Sequence, residues 1–113
     1  MTDGAAASVI AVLSTAPDVA TASQIGATLV EERLAACVNV VEGVSSIYRW
    51  KGAVQRDREV LMVVKTTSNA IERLRSRLVE LHPYEVPEVL ALAVADGHLP
   101  YLEWVRAEVD ADV

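Results

Sequence analysis

Phenylalanine is absent from this 113-residue chain, cysteine occurs once and histidine twice. A single thiol, Cys37, closes no intrachain disulfide, which excludes a disulfide-stapled secreted scaffold and a C-x-x-C metal-transfer motif. Cations are scarce too: ten Lys and Arg stand against sixteen Asp and Glu, a net charge of −6. That balance excludes an electrostatic grip on nucleic acid, which needs clustered Lys and Arg. No apolar run approaches the roughly 20 residues of a membrane helix, so no membrane partner is expected. Met1 to Ala7 lacks the basic start and apolar stretch of a secretion signal, and the cytoplasm is the expected compartment. There is no glycine-rich phosphate loop and no nucleophile–base pair at a supporting spacing. The loop Thr15-Ala16-Pro17-Asp18 carries no arginine of the kind an acylphosphatase needs, and the aromatic pattern of RNA-recognition domains is missing. A non-enzymatic protein is the expectation.

What the chain has is apolar patterning. Hydrophobic residues make up 52% of it, and its mean hydropathy of +0.29 is high for a soluble monomer. Ser8 to Ser14 reads as a strand buried on both faces. Pro17 and Asp18 open a helix, with Asp18 as N-cap and Ala22, Ile25, Leu29 and Val30 on one stripe. Cys37 to Trp50 and Ala53 to Thr67 read as two long strands joined at Lys51-Gly52, with a bulge or bend at Glu42-Gly43. Near the turn, Gln55 to Arg58 are polar on both faces. Val60 to Val64 are apolar without a break, so both faces of the sheet must be covered there. Thr67 or Ser68 caps a second helix whose core stripe is Ile71, Leu74, Leu78 and Leu81, with Arg73, Arg75 and Arg77 on a solvated face. His82-Pro83 stops it. Glu88 to Val94 is a further strand, and Pro100 starts a short helix with Leu102, Val105 and Val109 inward.

The order predicts an α+β fold: a ferredoxin-like βαββαβ sandwich with a C-terminal helix and a long β2–β3 hairpin, as one domain with an ordered core of about residues 8 to 109. Both crossover helices then lie on one face of a sheet that is apolar on two. A second copy of the chain is the simplest cover for the other.

Five segments carry a family resemblance. Arg33-Leu34-Ala35-Ala36-Cys37-Val38-Asn39, Ser46 to Gly52 (SIYRWKG), Glu59 to Thr66 (EVLMVVKT), His82 to Glu88 (HPYEVPE) and Tyr101-Leu102-Glu103-Trp104 stand in the order of the motifs of the CutA family, which the chain resembles. The match runs from about Val9 to about Val109. The resemblance implies the ferredoxin-like fold, a homotrimer whose long hairpins pair between subunits, and a link to tolerance of divalent metals, with copper the metal reported for some members. Likeness to PII signalling proteins adds a sensor of small ligands as a second function. Ala53, Arg56 and Arg58 dilute the acidic residues usual before Glu59, and a single cysteine denies any site that needs two thiols per chain.

The candidate metal ligands are Cys37, His82 and Glu85, for copper or another divalent cation with no cofactor obligatory; copper takes thiolate or imidazole by oxidation state. Cys37 is otherwise a small core residue, and His82 otherwise a helix-ending residue facing the helix dipole. Tyr48, Glu59, Lys65 and Tyr84 are candidates for an inter-subunit cleft taking a small anion or a protein partner; Lys65 alternatively meets a carboxylate at its strand end. Trp50, Val60, Met62 and Val64 are the expected trimer contacts.

Overall fold

Residues 7–109 are described by the computed structural model, and the elements run β1 (Val9–Ala16), α1 (Val19–Glu31), β2 (Cys37–Trp50), β3 (Ala53–Thr67), α2 (Ile71–Leu81), β4 (Leu90–Ala93) and α3 (Leu99–Glu108). The sheet is antiparallel with strand order β2-β3-β1-β4, the ferredoxin-like arrangement expected. Asp18 caps α1: in extended backbone, its carboxylate accepts the Thr21 N–H at 2.8 Å. Ala22, Ile25, Gly26 and Leu29 form the buried stripe. Val30 does not belong to it, because one residue past Leu29 is about 100° further round the helix, and it is 39% exposed. A β-carbon on Gly26 would stand 3.1 Å from Val38, so glycine lets α1 lie close on β2.

The cap of α2 also differs from expectation. Thr67 is the last residue of β3, paired with Val9 and buried, while the Ser68 hydroxyl accepts the Ser8 N–H at 3.1 Å. Ala70 stands at the N-cap of the helix, with no side-chain cap. Its Leu74 and Leu78 are buried, Ile71 and Leu81 pack against them, and Arg77 ties α2 to the end of α1 by an ion pair to Glu32 at 2.8 Å and pairs with Glu80 of its own helix at 2.9 Å. The last strand is shorter than Glu88–Val94: only Leu90–Ala93 pair, as an exposed edge strand beside β1.

The two faces of the sheet have different fates. Val12, Ala16, Val60, Met62 and Val64 point under α1 and α2 and form the core with Ile25, Leu29, Leu74 and Leu78. Val60, Met62 and Val64 are therefore not subunit contacts as expected; they are spent inside the protomer. The alternate residues Leu13, Leu61 and Val63 occupy the opposite face and are half-buried. There α3 covers one end, packing Val105 and Val109 with Val9, Ala36 and Ala70. Arg33, at a left-handed φ of 60°, ends α1 and donates through Nη2 to Ala107 O at 2.9 Å, tying α3 in place. Away from α3 the face is open, with Leu90 54% and Leu92 49% exposed.

The hairpin outruns this sandwich. Its strands of 14 and 15 residues stretch the chain to 50 × 25 × 23 Å with a radius of gyration of 15.0 Å, against about 13 Å for a compact chain of this size. Lys51 (φ 51°) and Gly52 (φ 81°) make the two-residue turn whose left-handed backbone matches strand twist. The expected irregularity sits between Val41 and Val44, with Gly43 at φ 81°.

Candidate functional site

Strand alternation builds the site. Beyond the bulge, Val44, Ser46, Tyr48 and Trp50 of β2 stand opposite Glu59, Asp57, Gln55 and Ala53 of β3. Paired residues share a face, so the aromatics and the two acids lie together. Arg49, Arg56 and Arg58, registered with Val54, Ile47 and Ser45, take the other face. The Tyr48 hydroxyl donates to Asp57.

The 82–88 loop comes down beside this ribbon. His82 is buried, and its Nε2 lies 2.6 Å from Thr15 O. A carbonyl only accepts, so Nε2 carries the proton. Nδ1 accepts the Tyr84 N–H at 3.1 Å, which requires it to be bare. One neutral tautomer satisfies both, and the ring stacks at a tilt on Tyr84, centroids 4.7 Å apart. Tyr84 in turn donates its hydroxyl to Glu59 Oε2 at 2.7 Å. Burial, then the bond to Glu59, pushes the Tyr84 phenol well above its usual range; the bond to Asp57 pushes Tyr48 up in the same direction. Between loop and ribbon lies a cleft of about 690 Å³ lined by Thr15, Ser46, Ile47, Tyr48, Trp50, Glu59, Pro83, Tyr84, Glu85, Val86 and Glu88. Three carboxylates and no Lys or Arg face it.

Of the expected cleft residues, Tyr48, Glu59 and Tyr84 are brought together, and Trp50 and Glu85 join them. Lys65 is not there. It shares the face of Glu59 but stands six residues, about 20 Å, further along β3. Its ammonium donates to Asn39 Oδ1 and lies 3.9 Å from Cys37 Sγ, so it meets an amide and a thiol rather than a carboxylate. Cys37 is only partly buried. The three metal candidates remain apart: Cys37 at the Lys65 end of the ladder, His82 beside Thr15 with both ring nitrogens in hydrogen bonds, Glu85 in the cleft. Among the described residues, no group of three or more His, Cys, Asp or Glu is placed to hold a metal ion. Asp57 and Glu88 were missed as site residues. Counting faces outward from the turn would have found Asp57, which lies opposite Ser46 on the side of Tyr48.

Residues 10–108 match the family described as CutA1 divalent ion tolerance protein. The divalent-cation tolerance protein CutA of Thermus thermophilus is 54% identical over 95 residues, 84% of this chain and 92% of that protein. Human protein CutA is 48% identical over 99 residues, 88% of this chain; the chain spans 55% of the length of that relative. Among solved structures, the Cut A1 divalent cation tolerance protein of Thermus thermophilus superposes with a TM-score of 0.88 at 50% identity, covering 90% of this chain and 99% of that one. The CutA1 of Oryza sativa does so with 0.89 at 37% identity, covering 93% and 96%.

Proposed function

The chain belongs to the CutA1 divalent ion tolerance family, and from that premise we propose that it works as a homotrimeric, non-enzymatic binding protein of the cytoplasm that responds to divalent cations. The observation that carries the assembly is the uncovered sheet face. Leu13, Leu61, Val63, Leu90 and Leu92 form an apolar surface that α3 leaves open, and contiguous apolar surface on a soluble chain marks an interface. The hairpin adds an unpaired β2 edge that a neighbouring copy protects. A closed ring of copies satisfies both.

The cation contact needs that assembly. His82 has given both nitrogens to the fold, which leaves Cys37 as the soft donor for copper or a similar ion, with further donors drawn from another copy. A second reading, a cleft that takes a small ligand in the manner of a sensor, is favoured by the cavity beside the hairpin. Its carboxylates favour a cation over the small anion expected from sequence.

Light scattering on a sizing column tests the assembly. The native chain is expected at three times 12.2 kDa, and Leu61→Asp at one chain mass with its far-UV dichroism kept. A native protein that stays monomeric at every concentration would sink the proposal. Copper calorimetry on the native chain and Cys37→Ser tests the donor: affinity should drop in the variant, and an unchanged isotherm removes Cys37.

A further inference from the structure

We propose that the cleft between the hairpin and the 82–88 loop binds a small organic ammonium ion, its head group against Tyr48, Trp50 and Tyr84 and its charge matched by Glu59, Glu85 and Glu88. This deepens the reading of the cleft as a ligand site and rests on it; Glu59 shares the sheet face of Leu61 and Val63, so the cleft borders the surface that the proposed trimer covers.

The cavity decides the size of ligand. A cleft of about 690 Å³ falls in the range of small-molecule sites, roughly 300–1,000 Å³. The walls decide the sign. Strand alternation sends Arg49, Arg56 and Arg58 to the far side of the ribbon, so the residues lining the cleft carry only negative charge. The chemistry of the walls then separates an organic cation from a metal ion. A hard divalent ion exchanges its water only for several oxygens in a close shell. Here Glu59 is already engaged by Tyr84 at 2.7 Å, and among the described residues no trio of ligating side chains converges. An alkylated ammonium is large and weakly hydrated, is attracted to aromatic faces, and needs only diffuse negative charge nearby. Val86 in the lining offers apolar contact to its carbon substituents. Both tyrosine hydroxyls donate to carboxylates, which keeps the rings neutral and fixed. Burial and those bonds raise both phenols.

Calorimetry on the full chain, supported by Trp fluorescence, tests this with choline and tetraethylammonium as probes. The comparison ligands are 3,3-dimethylbutan-1-ol (the uncharged shape of choline), acetate and magnesium chloride. One ammonium per chain is expected, with the neutral isostere about tenfold weaker or worse. Glu59→Gln keeps an acceptor for the Tyr84 hydroxyl and should weaken the ammonium about tenfold while leaving the isostere unchanged. Glu85→Gln, on the exposed loop, should act in the same direction should Glu59→Gln fold poorly. Arg56→Gln, on the opposite face, should not weaken binding. The proposal fails if neither ammonium binds, if the isostere binds equally, if acetate or magnesium binds better, or if neither carboxylate substitution matters. Light scattering on the same samples reads the assembly separately. A monomer that binds choline keeps this inference and removes the trimer; a trimer that ignores choline does the reverse.

Discussion

The inner half of the β2–β3 hairpin, Val38 to Val41 against Leu61 to Val64, is roofed by α1 and α2. The outer half, Ser45 to Trp50 against Ala53 to Arg58, is mostly exposed on both faces. The two halves share one ladder and one chain, yet different forces hold them. Inside, Met62 and Val64 are fully buried against Leu29, Leu74 and Leu78. Outside, the ribbon has its backbone bonds, a two-residue turn and the bond of Tyr48 to Asp57. Isolated two-stranded ribbons are marginal in water. The outer half is therefore the part on which the proposed assembly and the proposed ligand site both draw.

The largest test of that contrast is Met62→Ala. Emptying a fully buried site should cost about 2–5 kcal/mol in denaturant unfolding at fixed protein concentration. Ile47→Ala, at an exposed position of the outer half, should cost far less; equal losses would erase the distinction. Next is Trp50→Ala. Trp50 is 38% exposed in the single chain and lines the cleft, so its full burial, worth roughly 2–3 kcal/mol, is realised only against a partner. A lower thermal midpoint with dissociation on dilution is expected. Intact assembly with loss of choline affinity would confine Trp50 to the cleft.

The smallest effects separate the halves by pH. Asp18, held below its ordinary 3.8 by the Thr21 N–H, and Glu32, held below 4.5 by Arg77, belong to the helical layer. A depressed carboxyl adds stability that is present above its unfolded value and lost as pH falls through the folded one. Tyr48 and Tyr84 of the cleft are raised above 10.0. A raised phenol adds stability that is complete below about pH 10 and lost as pH climbs toward its folded value. Thermal midpoints across pH should show Asp18→Asn flattening the acid limb and Tyr84→Phe flattening only the alkaline one. Crossed effects would mean the two regions do not titrate apart.

Local features were legible in the sequence: the Asp18 cap, the Lys51-Gly52 turn, the Gly43 irregularity and the element order each depend on neighbours in the chain. The fates of the faces were not. Val60 to Val64 are all apolar, so alternation reveals two faces without saying which one the helices take, and the helices take Val60, Met62 and Val64 where a neighbouring copy is expected. Lys65 and Glu59 did share a face as read, but about 20 Å of strand separates them. His82 looked free for metal because its acceptor is the carbonyl of Thr15, 67 residues earlier, and a backbone atom has no signature in sequence. The charge of the cleft lining is illegible for a related reason. Arg56 and Arg58 interleave with Asp57 and Glu59 in the chain and are sorted apart only by the pleat.

Between the Val41–Leu61 pair and the turn, β2 has nine residues to β3's eight. The count has odd parity, and the remainder must be absorbed somewhere. The kink at Gly43 absorbs it early, so every pair beyond it keeps step. Replacing Gly43 by valine would press a branched side chain into a φ of 81° although the space around it is open. The surplus would then migrate to the tip, open a three-residue loop and invert the ribbon from 44 to 49, turning Arg49 toward the acids and Tyr48 away. Deleting Gly43 outright removes the remainder and leaves every pairing as it is. A missing residue is milder here than a changed one, because the hairpin reads its length modulo two.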